Sequence, residues 1–343
     1  MGFPLKSAPP LHIASITLLT LFVFWQSGVT PLHEAGLVGR ADVMQALLEA
    51  NADVHAKDDG DCTPLHYASR DGHALCVSAL LRHRADPNAQ SSTGETALIL
   101  AVEFGNADCA RLLIEANADV NLRERGSMTP LHVAARHGRS YFRDCTTLLL
   151  RAGADLEARY KGRTPLHEAC LRGNAGQAEL LLRSGADIES REAHSGMTAL
   201  HCAVMAEEGE DCIRLLLIHG ADSNAVDGSG TRTVLSLARH RGASYRAMEM
   251  LLASDVDVRR DSLRPPQDPR YYNRRALATL ERFARMTDED QNVEKINLQK
   301  RYRLLWRRVQ RRTLTLWRAA CDRKEGISPT AGSRESHASP SRR

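Results

Sequence analysis

A Thr-x-Leu tetrapeptide recurs along the chain, beginning at Thr30, Thr63, Thr96, Thr129, Thr164, Thr198 and Thr233, with gaps of 33, 33, 33, 35, 34 and 35 residues. A unit of about 33 residues cannot bury its own apolar face and must stack on copies of itself, so the spacing predicts a solenoid rather than a globule. In such an array function is expected on a repeated surface, not in a pocket.

Each position of the motif has a physical reason. Threonine caps a first helix by accepting a backbone N–H, and proline suits the first helical position because its missing N–H has no partner there anyway. The leucine points into the stack, and Ala68, Ala134, Ala169 and Ala203 let paired helices approach closely. Gly39, Gly72, Gly105, Gly138 and Gly173 are expected to end the first helix in a left-handed conformation. About twenty residues after each tetrapeptide a second signature follows: Leu80-Leu81 before Ala85-Asp86, Leu148-Leu149-Leu150 before Gly153-Ala154-Asp155, Leu180-Leu181-Leu182 before Gly185-Ala186-Asp187, and Leu215-Leu216-Leu217 before Gly220-Ala221-Asp222. The second helix should end at these glycines, at Asn51 and Asn117, which tolerate the left-handed region, and less comfortably at Arg84 and Ser254.

The runs Thr30-Pro31-Leu32-His33, Thr63-Pro64-Leu65-His66, Thr129-Pro130-Leu131-His132 and Thr164-Pro165-Leu166-His167, with Thr198-Ala199-Leu200-His201 beside them, resemble the ankyrin repeat over roughly residues 30 to 260. The resemblance implies an all-α ankyrin-repeat solenoid of helix-turn-helix units joined by β-hairpin fingers. It also implies a non-catalytic adaptor or scaffold that binds a protein partner on its concave face. In that family the motif histidine ties neighbouring loops together by hydrogen bonds. Ile99 and Ser236 replace it in units three and seven, and the seventh unit, from Thr233 through Val258, has lost most of the consensus, as a capping repeat does.

Cysteine and histidine invite other readings, which their phase opposes. Cys76, Cys109, Cys145 and Cys212 fall at one equivalent position of the second helix, allowing for insertions after Gly138 and at Glu207-Glu208-Gly209, while Cys170 and Cys202 lie in first helices. Copies one repeat apart, about 10 Å, are too distant for a disulfide, so reduced buried thiols and a reducing, cytoplasmic location are expected, with nuclear or membrane-associated alternatives. His33, His66, His132, His167 and His201 are likewise one repeat apart, beyond shared coordination of a metal. No phosphate loop, His-Glu-x-x-His or nucleophile elbow is present, so no enzyme activity and no cofactor are expected.

Charge divides the chain: 26 Lys+Arg face 32 Asp+Glu before Asp261, and 20 face 10 from Asp261 onward. Residues 1–29 hold an apolar run from Ile13 to Trp25, too short to span a bilayer as a helix. They read as a truncated repeat, because Pro10-Leu11-His12-Ile13 resembles a unit start, or alternatively as a signal anchor. Residues 30–260 form the repeat domain, 261–290 a linker with a short helix, 291–324 a basic amphipathic helix and 325–343 a disordered tail.

Two surfaces are nominated for partners. Finger tips and first helices of units three to five gather Phe104, Arg123, Arg125, Arg136, Arg159, Tyr160, Lys161, Arg163, Arg172 and Arg191, none expected to be needed by the fold; aromatic residues and arginines often carry interface energy, and an acidic ligand segment follows. In the tail, Leu305, Trp306, Val309, Leu314 and Trp317 suggest a helix for a calmodulin-like protein or an anionic membrane surface, or one whose apolar stripe rests on the repeats. A monomer is expected and nucleic acid is not expected as a ligand. A second functional class is the substrate-recruiting subunit of a ubiquitin ligase, as in ankyrin proteins ending in a SOCS box; the tail's Ala320-Cys321-Asp322 departs from that box's Leu-Cys-Arg run. A membrane-tethered scaffold is the remaining alternative.

Overall fold

The computed structural model describes residues 27–138, 141–241 and 243–254, and in the tail Ala278, Arg282, residues 285–286 and the helical stretch 290–298. Among the described residues seven helix pairs follow one another: α1 (Pro31–Val38) and α2 (Ala41–Glu49), α3 (Pro64–Arg70) and α4 (Ala74–Arg82), α5 (Ala97–Glu103) and α6 (Ala107–Glu115), α7 (Pro130–Arg136) and α8 (Tyr141–Arg151), α9 (Pro165–Leu171) and α10 (Ala175–Arg183), α11 (Ala199–Met205) and α12 (Glu210–Ile218), and α13 (Val234–His240) and α14 (Tyr245–Ala253). First helices pack on first helices and second on second, so a single apolar core runs the length of the stack. The motif leucines Leu32, Leu65, Leu98, Leu131, Leu166 and Leu200 are all among its fully buried side chains.

The expected β-hairpin fingers are not formed: among the described residues there is no strand, only isolated antiparallel bridges at Gln90 with Thr96, Tyr160 with Arg163 and Val226 with Thr233. The reason lies in where the loop backbone sends its hydrogen bonds. Within a loop they close turns, as where Asp58 accepts from Gly60 and Cys62 N–H at 2.9 and 2.8 Å. Between loops they run along the stack: Asp59 N–H donates to Ser27 carbonyl, Ser92 to Gly60, Arg125 to Thr93, Ala193 to Gly162 and Gly228 to Ser195. Groups used this way are not available for a two-stranded ladder.

The helix exits follow the glycines with instructive exceptions. Gly39, Gly72, Gly105 and Gly173 take positive φ after first helices, as do Gly153, Gly185 and Gly220 after second helices. Asn51, Asn117 and Arg84 adopt the same left-handed region. Gly138 does not, because α7 leaves through His137 in extended conformation, and α11 leaves through Ala206 in the same way. These are the two units with an insertion between their helices. Ser254 is also extended. At Gly72 the need for glycine is spatial as well, since a Cβ would lie 2.7 Å from the Asn106 side-chain oxygen.

Candidate partner-binding site

First helices and the loops that precede them share one side of the stack, and the most regular element beneath it is the row of buried histidines. In each of the five histidine units the threonine backbone N–H donates to histidine Nδ1, at 3.1 Å for Thr30 and His33 and 3.0 Å for Thr63 and His66. A backbone N–H can only donate, so Nδ1 carries no proton and Nε2 does. In four of the five that Nε2 then donates to a carbonyl of the following loop: His33 to Cys62 at 2.9 Å, His66 to Glu95 at 3.0 Å, His132 to Arg163 and His167 to Met197, each at 3.1 Å. Desolvation by burial holds the imidazoles neutral, bringing His132 and His167 down to about 4 and shifting His33, His66 and His201 in the same direction. In units three and seven the threonine hydroxyl caps the helix itself, accepting from Ile99 N–H at 3.2 Å and Ser236 N–H at 3.1 Å.

The nominated arginines are more deeply committed to the fold than the sequence suggests. Arg123 Nη1 donates to Arg159 carbonyl at 3.2 Å, Arg159 to Arg191 carbonyl, and Arg191 to Val226 carbonyl at 2.6 Å, with Gln90 beginning the series by donating to Arg123 carbonyl at 3.0 Å. The expectation that none of these residues serves the fold is therefore corrected for Arg123, Arg159 and Arg191, which lace one loop to the next. Arg163 lies between two buried carboxylates, 3.4 Å from Glu168 and 3.3 Å from Glu192, and Arg136 is 3.8 Å from Glu168. Tyr160 is half-buried, edge-on to His132 with ring centroids 5.9 Å apart and with the Lys161 ammonium over its face. Phe104, Arg125, Lys161 and Arg172 are exposed, Phe104 by 53%. Leu305, Trp306, Val309, Leu314 and Trp317 lie outside the described residues.

Sequence reasoning missed two further sets of ties. Asn106 donates to Ser69 and Arg70 carbonyls at 2.9 and 2.7 Å, and Asn174 to Ala135 carbonyl at 3.0 Å, which satisfies the ends of the preceding first helices. The aspartates of the second signature accept from the N–H two residues on, as Asp86, Asp119, Asp155, Asp187 and Asp222 all do. Both sets were readable from phase alone, since Asn106 and Asn174 each follow a helix-ending glycine. The seven cysteines among the described residues are free thiols. Burial pushes Cys109 and Cys202 up to about 12, and Cys170 is raised by a hydrogen bond with Cys212 and by burial, a pairing across units that the phase did not indicate.

The repeated surface is also interrupted. At the junction of units three and four a cavity of about 350 Å³ opens, lined by Glu95, Ile99, Glu103, Glu124, Met128, Val133, Arg136, His137 and Arg172. Ile99 is the residue that stands where a histidine would bridge to the next loop. Among the described residues no group of three or more His, Cys, Asp or Glu is placed to hold a metal ion, and no helix is long and apolar enough to cross a membrane.

Stacked helix pairs, histidine ties and loop-to-loop lacing define a repeat protein of the ankyrin class. A family model described as ankyrin repeats (3 copies) matches residues 32–124, 122–192 and 178–262, and the chain belongs to that family. It is similar to the crystal structure of the human ASB11 ankyrin repeat domain, with a TM-score of 0.58 and 27% identity over 66% of this chain and 99% of that one. It is also 38% identical over 119 residues to the transient receptor potential channel pyrexia of Drosophila melanogaster, covering 35% of this chain and 11% of the channel's length. Repeats of this family are non-catalytic and mediate protein–protein contacts.

Proposed function

We propose that the chain recruits a protein partner through the concave face of units three to five, and that it does so as the substrate-recruiting subunit of a ubiquitin ligase. The observation that carries the placement is the cavity at the one internal junction whose histidine is missing. Exposed Arg172 lines it, and exposed Phe104 and Arg125 directly follow the lining residues Glu103 and Glu124 in the chain. The recruiting reading draws support from the ASB11 likeness, which extends over nearly the whole of a domain that folds by itself. The channel likeness, which would favour a membrane-tethered scaffold, covers about a tenth of that protein.

The tail is assigned a different part in this reading. Residues 290–298 are helical, and Leu298 is buried in the same apolar cluster as the repeats. This supports the helix as an element resting on the stack over a free target for a calmodulin-like protein or an anionic membrane. Affinity capture with the intact chain, followed by incubation with ubiquitin and its activating and conjugating enzymes, tests the proposal. Co-capture of ligase scaffold subunits and ubiquitin transfer to a captured protein are expected. Capture of partners without any ligase subunit would leave an adaptor and refute the ligase role.

A further inference from the structure

The cavity at the junction of units three and four does not carry the sign of charge that the neighbouring arginines suggest. Arg136 and Arg163 are turned onto Glu168 and Glu192, and Arg123, Arg159 and Arg191 give their guanidinium groups to loop carbonyls. What the cavity between units three and four presents is Glu95, Glu103 and Glu124 above a floor of Ile99, Met128 and Val133. Glu95 accepts from the Thr93 hydroxyl at 2.8 Å, while Glu103 and Glu124 have no ion-pair partner among the described residues. Their carboxyls are raised above the ordinary range, first by burial and then by repulsion from neighbouring glutamates, with Arg136 only partly offsetting it. Of the two cations on the wall, Arg136 is held by Glu168, which leaves Arg172 on the side of unit five.

Resting on the recruitment reading above, we propose that this cavity docks an arginine or lysine side chain of a partner protein presented in an extended segment. The alkyl stem lies along Ile99, Met128 and Val133, and the cationic head sits among Glu95, Glu103 and Glu124. A volume of about 350 Å³ is at the small end for ligand pockets, which suits one long side chain. A cation arriving there relieves the mutual repulsion of the carboxylates, so charge complementarity selects the ligand as well as holding it. Ile99 stands where the other units carry a histidine and offers no donor to the Met128 carbonyl, which accepts from Glu124 N–H at 3.2 Å.

The test displays a library of random peptides against the intact chain and against its Glu103→Lys/Glu124→Lys variant. Wild type should enrich arginine or lysine at one fixed position by about tenfold over glutamine, and the variant should lose or invert that preference. Selection of aspartate or glutamate by wild type, absence of charge selection, or a basic preference that persists in the variant would each overturn the proposal. Because neither carboxylate is used by the fold, the melting temperature should hold; the Glu103→Gln/Glu124→Gln variant gives the same reading if the lysine variant misfolds. Peptides selected without a basic preference refute the cavity's ligand while recruitment stands. Failure of the intact chain to capture any protein refutes the recruitment reading itself.

Discussion

At four junctions the motif histidine reaches from one unit into the next: His33 to Cys62, His66 to Glu95, His132 to Arg163 and His167 to Met197. At the junction of units three and four Ile99 fills the core equally well, being 1% exposed, but has nothing to donate across the gap. Its helix is capped by Thr96 alone, and a cavity lies where the tie would run. The contrast separates two demands on a repeat array. Burial of an apolar core is met by either residue, whereas the bond from the first helix to the next loop is met only by histidine; the loop-to-loop bonds, such as Arg125 N–H to Thr93 carbonyl, remain at this junction, so a unit can give up the tie without giving up the fold.

The largest expected effect is acid sensitivity at the buried motif histidines. His132 and His167 are depressed from 6.5 to about 4, so between those values the unfolded chain binds more protons than the folded one. Their contribution is intact above pH 6.5 and disappears as pH falls toward 4, amounting to about 3 kcal/mol for each histidine. Urea unfolding at pH 7 and pH 5 measures this, and His167→Leu should flatten the slope; an unchanged slope would mean that the imidazole does not titrate with folding.

Next in size is removal of the tie at fixed pH. His167→Leu leaves the Thr164 amide without its partner and removes one of the two donors to the Met197 carbonyl, which keeps Glu192 N–H at 2.8 Å, and should cost about 2–3 kcal/mol in chemical unfolding, against roughly 1 kcal/mol for Ile99→Val. Equal losses would erase the distinction between the junctions. Along the loop edge, Arg159→Ala should cost about 1 kcal/mol through its bonds to Arg191 carbonyl and Ser190, whereas exposed Arg125→Ala should stay within about 0.5 kcal/mol. The smallest effect has the opposite sign: Arg84 sits at φ 66°, and Arg84→Gly should stabilise by about 0.5–1 kcal/mol, read as a rise in the urea midpoint.

Much of this architecture was legible from phase. Threonine, leucine and glycine positions located the helices, because each residue type there answers a local requirement of capping, burial or positive φ. The hairpins were not legible, since whether a loop forms a ladder depends on how its neighbours share its N–H groups, as Thr93 with Arg125 and Gly162 with Ala193 do. Nor was the acidic lining of the cavity. Counting arginines could not reveal that Arg163 would be sandwiched by Glu168 and Glu192, residues near the motif in different units. The sequence did mark the open junction through Ile99, yet as a missing tie rather than as a cavity.

Ile99→His tests the central claim most directly, because it offers unit three the donor its neighbours possess. The account predicts that the new imidazole reaches the Met128 carbonyl, that the urea midpoint stays level or rises by the equivalent of about 1 kcal/mol, and that partner capture by the intact chain falls about tenfold as the cavity closes. A stable Ile99→His protein that captures its partners undiminished would contradict the assignment of function to this junction.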